Sequence, residues 1–442
     1  MSQRIIGEIP VGRCAIHGAM RDAGDSRISD STEAVLFRIA SVVASTALLI
    51  AGCGGSSGSQ SALKPIDQAG LQATLDTAAR GLLLPGAVAI VRTPQGEFTV
   101  TYGATELGGA TSPGPDSHFR IGSVTKTMTA AAILQLAQEN KLRLDDPVAT
   151  YRPDVPNGAH ITISQLLEMR SGLYNYTADP DFWPTLEREP TKVWTPEELP
   201  AIAFAHTYRD PGRFEYCNTN TVLLGLIAEQ LDHKPLAEIF RDRFFSPLGM
   251  ADTMLPGADS ATIPAPRARG YVYESLLYVF LEVPYPADIR AAAKAGTLSP
   301  IDFTDVNPSW AWAAGGVVST AADLATWIES LVGGQLLDAA YQRAWRESLR
   351  PTNPNDPNGL SYGYGIVQLH LGTNQIWFHN GELPGYNTFA GYDPVNRVTL
   401  VVWTSLPVSV DGAGPAEVIA GKLAASIYRG VPNSVDPDIP GD

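Results

Sequence analysis

Cysteine and lysine are scarce in this 442-residue chain, which has three Cys and, among 31 Lys+Arg, only seven Lys. Three Cys cannot staple a small disulfide-held scaffold. Basic charge is short as well. The 31 basic residues face 46 acidic ones, a formal charge of −15, the wrong sign for neutralising nucleic-acid phosphates. Long apolar runs are missing: Ile39–Ala51 (IASVVASTALLIA) is uncharged and mostly apolar, yet thirteen residues are too few for a comfortable membrane span. No H-E-x-x-H, C-x-x-C or G-x-x-x-x-G-K-[ST] occurs, so no metal or cofactor is expected. What remains is globular in composition, with 44% hydrophobic residues and room for one large core or two smaller ones.

The run Ile39–Ala51 fits the apolar core of an export signal. It leads into Leu49-Ile50-Ala51-Gly52-Cys53, which resembles a bacterial lipobox. That resemblance implies lipidation of Cys53, which becomes the mature N-terminus on the extracytoplasmic side of the membrane; an unused lipobox implies secretion instead. Gly54–Ser61 then reads as a flexible tether. Asp22, Asp25, Asp30 and Glu33 fit a signal peptide badly, so translation is expected to start near Val35 or Leu36. The expected organisation is a leader over 1–52, a tether over 53–62, one domain over 63–430 and an acidic tail over 431–442. Residues 1–52 hold five Arg and five acidic residues, so their removal leaves the charge at −15.

Periodicity predicts a helix over Ile66–Arg80, and strands over Gly86–Val91 and Phe98–Tyr102 around a Thr93-Pro94-Gln95-Gly96 turn. A helical pattern starts at Ser123 and ends near Asn140. Residues 145–330 read as mostly helical. Strands are expected at Gln375–Phe378, Thr388–Tyr392 and Val398–Thr404, and a last helix over Pro415–Tyr428. Strands at both ends with helices between predict an α/β (α+β) domain: one antiparallel sheet formed by the two chain ends, flanked by helices, with an all-helical lobe inserted.

Three short motifs carry chemistry. Ser123-Val124-Thr125-Lys126 opens the strong helix, so hydroxyl and amine share a face one turn apart. There an amine with a lowered pKa can take the hydroxyl proton. A second S-x-x-K, Ser61-Ala62-Leu63-Lys64, lies in the tether ahead of Pro65 and has no helix to order it. Tyr216-Cys217-Asn218 offers a phenol for proton relay and an amide for substrate. His379-Asn380-Gly381 follows a strand, and its glycine lets another backbone approach closely. A rival, His370-Leu371-Gly372, reads as a turn between strands. Asn353–Gly359 reads as a polar loop. Tyr271–Tyr285 (YVYESLLYVFLEVPY) reads either as ordinary core or as a hydrophobic wall suited to an apolar ester.

In the order S-x-x-K, Y-x-N, H-x-G, the chain resembles the penicillin-recognising serine hydrolases, the class C β-lactamases and D-alanyl-D-alanine carboxypeptidases. Phe119–Lys126 (FRIGSVTK), Leu166–Leu173 (LLEMRSGL, with Met169 where His is usual) and Ala314–Thr320 with Asp323-Leu324 support it. The resemblance implies the β-lactamase/DD-peptidase fold and an acyl-enzyme on Ser123. It implies that Lys126 and Tyr216 move its proton, that Asn218 holds a substrate amide, and that His379 aids the proton network and orients a carboxylate. It places an oxyanion between the N–H groups of Ser123 and Glu382, next to Gly381. The expected substrates are small molecules or peptidoglycan peptides ending in D-Ala–D-Ala. Alternatives are an esterase on the same machinery and a non-catalytic penicillin-binding lipoprotein of the cell envelope. Close carboxypeptidase relatives carry arginines before the third motif, whereas Tyr364–Phe378 has no Arg or Lys.

Overall fold

The computed structural model describes residues 62–280 and 285–432. The leader, Cys53, Ser61, most of the tether and the end of the acidic tail lie outside the described residues. Both chain ends build one eight-stranded antiparallel sheet. The N-terminal part supplies helix α1 (Gln68–Gly81) and strands β1 (Gly86–Thr93) and β2 (Gly96–Gly103). The C-terminal part supplies β3 (Arg350–Pro351), β4 (Ser361–Tyr362), β5 (Val367–Leu371), β6 (Asn374–Leu383), β7 (Tyr386–Asp393) and β8 (Val398–Thr404). Their order is β2-β1-β8-β7-β6-β5-β4-β3, and Ala87 of β1 faces Thr404 of β8.

Three further helices matter for the site: α2 (Thr125–Gln138), α3 (Asn218–Asp232) and α4 (Ala321–Gly333). The last helix, α5 (Pro415–Ile427), packs with α1 and β8, while α4 packs on β1, β7 and β8. Helices on both faces explain why β8, Val-Thr-Leu-Val-Val-Trp-Thr, is buried at all seven positions and why its pattern is continuous rather than alternating. Asp67 caps α1 by accepting from the N–H groups of Ala69 and Gly70, which sets the helix start two residues after the expected Ile66.

Two expectations need correction. The strand expected to end at Phe378 runs on to Leu383, so His379, Asn380 and Gly381 lie inside β6, opposite Ala390, Phe389 and Thr388 of β7. Pairing with β7 overrides the low strand preference of Asn and Gly. On the other side β5 pairs only as far as Phe378, which leaves that edge of His379–Leu383 outside the β5 ladder. Strand β5 itself was not foreseen; it takes in His370 and Leu371, and His370 is exposed. The inserted lobe is mostly rather than wholly helical. Tyr271–Val272 pairs with Ile301–Asp302, and Val318–Ser319 pairs with Phe119–Arg120. Of the aromatic stretch, Tyr271, Tyr273, Leu276, Val279 and Tyr285 are buried, the core reading; residues 281–284 lie outside the described residues.

Helix α2 is buried at every residue from Thr125 to Leu134, so its polar side chains need internal partners. One neighbouring segment supplies most of them. Thr129 Oγ1 donates to the Ala313 carbonyl at 2.7 Å, Lys126 Nζ donates to the Ala314 carbonyl at 2.7 Å, and Val317 N donates to Thr125 Oγ1 at 3.2 Å. Trp327 of α4 donates its indole N–H to Thr127 Oγ1 at 2.7 Å, locking α2 to α4.

Where sheet meets helices, Trp403 of β8 is fully buried and stacks on Phe119 with ring centroids 4.9 Å apart. Among the described residues its indole nitrogen has no hydrogen-bond partner, so its contribution is packing. Trp403→Ala is expected to cost about 3–5 kcal/mol, read from denaturant unfolding of the purified domain.

Candidate active site

Ser123 sits in a 3-10 turn, Gly122–Val124, that runs directly into α2. It is partly exposed, while Gly122, Val124 and Lys126 are buried. The turn needs glycine at its first position: Gly122 has φ +54°, and a Cβ there would lie 2.5 Å from Glu382 N. Strand β6 needs glycine for the same reason. A Cβ on Gly381 would lie 1.9 Å from the Ile121 carbonyl oxygen and 3.0 Å from Ser123 N. Two backbones therefore touch where a side chain would part them, and the N–H groups of Ser123 and Glu382 are carried on adjoining segments.

Lys126 Nζ lies 2.9 Å from Ser123 Oγ. Burial drives the Lys126 amine well below its usual pKa, opposed by the neighbouring Cys217 thiol. A neutral amine can accept the Ser123 proton, whereas an ammonium cannot. Tyr216 completes the group: its phenol hydrogen-bonds Ser123 and its ring faces Lys126 Nζ at 4.9 Å. Burial raises the phenol well above its ordinary value, so at neutral pH it keeps its proton. The pair thus presents an amine of lowered pKa and a phenol of raised pKa to one hydroxyl.

His379 is fully buried in the same cluster, its ring centroid 6.3 Å from that of Tyr216. Nδ1 lies 2.6 Å from the Asn380 carbonyl oxygen, which can only accept, so Nδ1 carries the hydrogen. Nε2 is then the acceptor for the Tyr362 hydroxyl at 3.2 Å. Burial holds the imidazole down at about 3, and positive charge on Lys126 acts in the same direction. With both nitrogens engaged, neutral His379 offers no charge to a carboxylate.

Asn218 stands at the start of α3, partly exposed. Its Nδ2 donates to Thr177 Oγ1 and its backbone N–H donates to Asn175 Oδ1, each at 3.1 Å, so its amide oxygen is the group it can turn to a substrate N–H. Cys217, between the two motif residues, donates to the Leu173 and Tyr174 carbonyls. Burial pushes its thiol up to about 11, which removes it as a competing nucleophile. Glu382 is partly exposed and its carboxylate lies close enough to raise the Tyr216 phenol.

Ser123, Lys126, Tyr216, His379, Gly381 and Glu382 thus converge. Four contributors escaped sequence reasoning. Tyr362, in the run Ser361-Tyr362-Gly363-Tyr364-Gly365, occupies His379 Nε2. Asn175 and Thr177 hold Asn218. The Ala314 carbonyl, the anchor of Lys126, belongs to a segment noticed for its resemblance but given no role. Among the described residues no group of three or more His, Cys, Asp or Glu could hold a metal ion.

The beta-lactamase family profile matches residues 73–424. The chain is 26% identical over 379 residues to the unguisins hydrolase ungD' of Aspergillus campestris, covering 80% of this chain and 64% of that one. It spans roughly three fifths of the length of the curated relatives it matches. Among solved structures, a D-stereospecific amidohydrolase from Streptomyces sp. superposes with a TM-score of 0.69 at 30% identity, covering 82% of this chain and 98% of that one. The D-amino acid amidase of Ochrobactrum anthropi SV3 superposes with a TM-score of 0.65 at 26% identity, covering 80% and 98%.

The titration directions predict a pH profile. An acylation of Ser123 with Lys126 as its base should slow as pH drops through the lowered Lys126 value. Stopped-flow acylation between pH 5 and 9 measures this, and Lys126→Arg, which cannot deprotonate, should abolish it. The His379 ring resonances should not titrate between pH 5 and 8 by NMR, because that imidazole stays neutral well below this range.

Proposed function

Because the chain belongs to the beta-lactamase family, we propose that it is a serine hydrolase that cleaves amide bonds of D-amino acid derivatives through an acyl-enzyme on Ser123. The observation that carries this reading is the 2.9 Å approach of a buried, pKa-lowered Lys126 amine to the partly exposed Ser123 hydroxyl. Lys126 takes the Ser123 proton as Oγ bonds to the substrate carbonyl carbon. The carbonyl oxygen becomes an oxyanion between the N–H groups of Ser123 and Glu382. Its collapse breaks the C–N bond, and the leaving nitrogen takes the Tyr216 proton, which Lys126 restores. Water, deprotonated by the same pair, then attacks the ester carbon and returns Ser123 to its hydroxyl. A lost oxyanion donor costs about 3 kcal/mol of transition-state stabilisation, so the touching backbones matter as much as the nucleophile.

The substrate class rests on two supports. Two of the similar solved structures are a D-stereospecific amidohydrolase and a D-amino acid amidase. A free C-terminal carboxylate, as in D-Ala–D-Ala, calls for a cation. His379 is neutral and doubly hydrogen-bonded, and Tyr364–Phe378 has no Arg or Lys. The reading therefore moves from carboxypeptidase toward a neutral amide leaving group. Placement at the cell envelope through a lipid on Cys53 is proposed from the sequence; labelling with a radioactive fatty acid, lost in Cys53→Ala, tests it.

A panel of D- and L-alaninamide, D- and L-phenylalaninamide, D-Ala–D-Ala and nitrophenyl acetate decides the class. Turnover of D-amides above their L enantiomers and above D-Ala–D-Ala is expected, with all of it lost in Ser123→Ala. Nitrophenyl ester turnover without amide turnover would favour the esterase. Tyr216→Phe should lower kcat on amides by about 10²–10⁴ and on nitrophenyl esters far less, because nitrophenolate leaves without a proton.

A further inference from the structure

Behind the strand that carries Glu382 lies a hydrogen-bonded bracket that the catalytic steps above do not use. Asn387 of β7 is 1% exposed and stands opposite Glu382 in the ladder. Its Nδ2 donates to the Gly381 carbonyl oxygen at 3.3 Å and to Glu417 Oε1 at 3.3 Å. Its Oδ1 accepts from Ala416 N, in the first turn of α5, at 2.7 Å. Glu417 Oε1 also accepts from Asn380 Nδ2 at 2.9 Å. Both side-chain amides next to the H-N-G segment are thus turned by one carboxylate at the start of the last helix.

The Gly381 carbonyl and the Glu382 N–H belong to one peptide unit. That unit is planar, with its C=O and N–H directed to opposite sides, so holding the oxygen aims the hydrogen. Glycine on its N-terminal side gives this plane little steric restraint of its own. The preceding peptide is held separately, by His379 Nδ1 on the Asn380 carbonyl oxygen at 2.6 Å.

We propose that Asn387, oriented by Glu417, is the positioning residue that aims the Glu382 N–H at the oxyanion. The inference rests on the reading of Glu382 N–H as an oxyanion donor and extends it to two residues that touch neither substrate nor reacting atoms. A positioning role of this kind acts on the transition state and leaves the ground state alone.

The test uses Asn387→Ala, Glu417→Ala and Glu417→Gln in the described domain, with D-alaninamide and nitrophenyl acetate as substrates and a phenylboronic acid as the tetrahedral analogue. Glu417→Ala should lower kcat about tenfold to a hundredfold with KM changed less than about threefold, below the loss for deleting a hole donor outright. Boronate affinity should fall by the same factor, and the acid limb set by Lys126 should not move. Glu417→Gln keeps an oxygen acceptor for both amides and should recover most of kcat and boronate affinity. Asn387→Ala also removes the acceptor for Ala416 N, so it is read only if its thermal unfolding stays cooperative, and Glu417→Ala decides otherwise. A folded Glu417→Ala enzyme with unchanged boronate affinity overturns the proposal, as does a loss carried wholly by KM. Wild-type silence on D-alaninamide with activity on the ester overturns the substrate reading alone, because kcat on the ester and boronate binding still report the brace. Failure of the wild type to bind boronate overturns the oxyanion assignment and the brace with it.

Discussion

Burying one lysine is the constraint from which most of this architecture follows. An ammonium moved out of water loses several kcal/mol of hydration unless it is paired, and among the described residues Lys126 hydrogen-bonds a hydroxyl and a carbonyl rather than a carboxylate. The fold answers by lowering the pKa of the amine. That answer needs an apolar helix around it, a carbonyl to hold it and a hydroxyl to receive it. Helix α2 is buried almost throughout, the Ala313–Val317 segment is hydrogen-bonded along it, and Ser123 is the group that reaches solvent. The threonines of α2 belong to the same solution, since each is a polar group satisfied internally where a charge would need water.

The cluster separates the pKa values of its members chiefly by burial. Burial acts with opposite consequences on an amine and a phenol: it lowers the pKa of Lys126 and raises that of Tyr216. One physical cause thus produces a base and an acid side by side. His379 is held out of this exchange by the Tyr362 hydroxyl and the Asn380 carbonyl, and it serves as a fixed, uncharged wall to the pair.

Much of this was legible in the residues, and what was not has a common cause. Strands such as Val398–Thr404, buried on both faces, read as unbroken apolar runs, and the pairing of both chain ends in one sheet followed from where such runs lay. Ser123 and Lys126 were legible because helical spacing places them together without tertiary information. Tyr362 was not, because nothing local distinguishes a tyrosine that meets a histidine across the sheet. The Ala314 carbonyl was not, because a backbone acceptor has no side chain to announce it. The extension of β6 through Asn380 and Gly381 was missed because residue preference opposed it while pairing with β7, visible only in three dimensions, imposed it.

The interleaving of the two chain ends also has a temporal side. Ser123 meets Gly381, and β1 meets β8, across most of the length of the chain. During synthesis Ser123, Lys126 and Tyr216 all emerge before the strand that sets Gly381 against Ile121. Closing such long loops is entropically costly and slow, so the backbone contact beside Ser123 forms only when the final strands arrive. An interrupted copy carries Ser123, Lys126 and Tyr216 but lacks the backbone that packs against them.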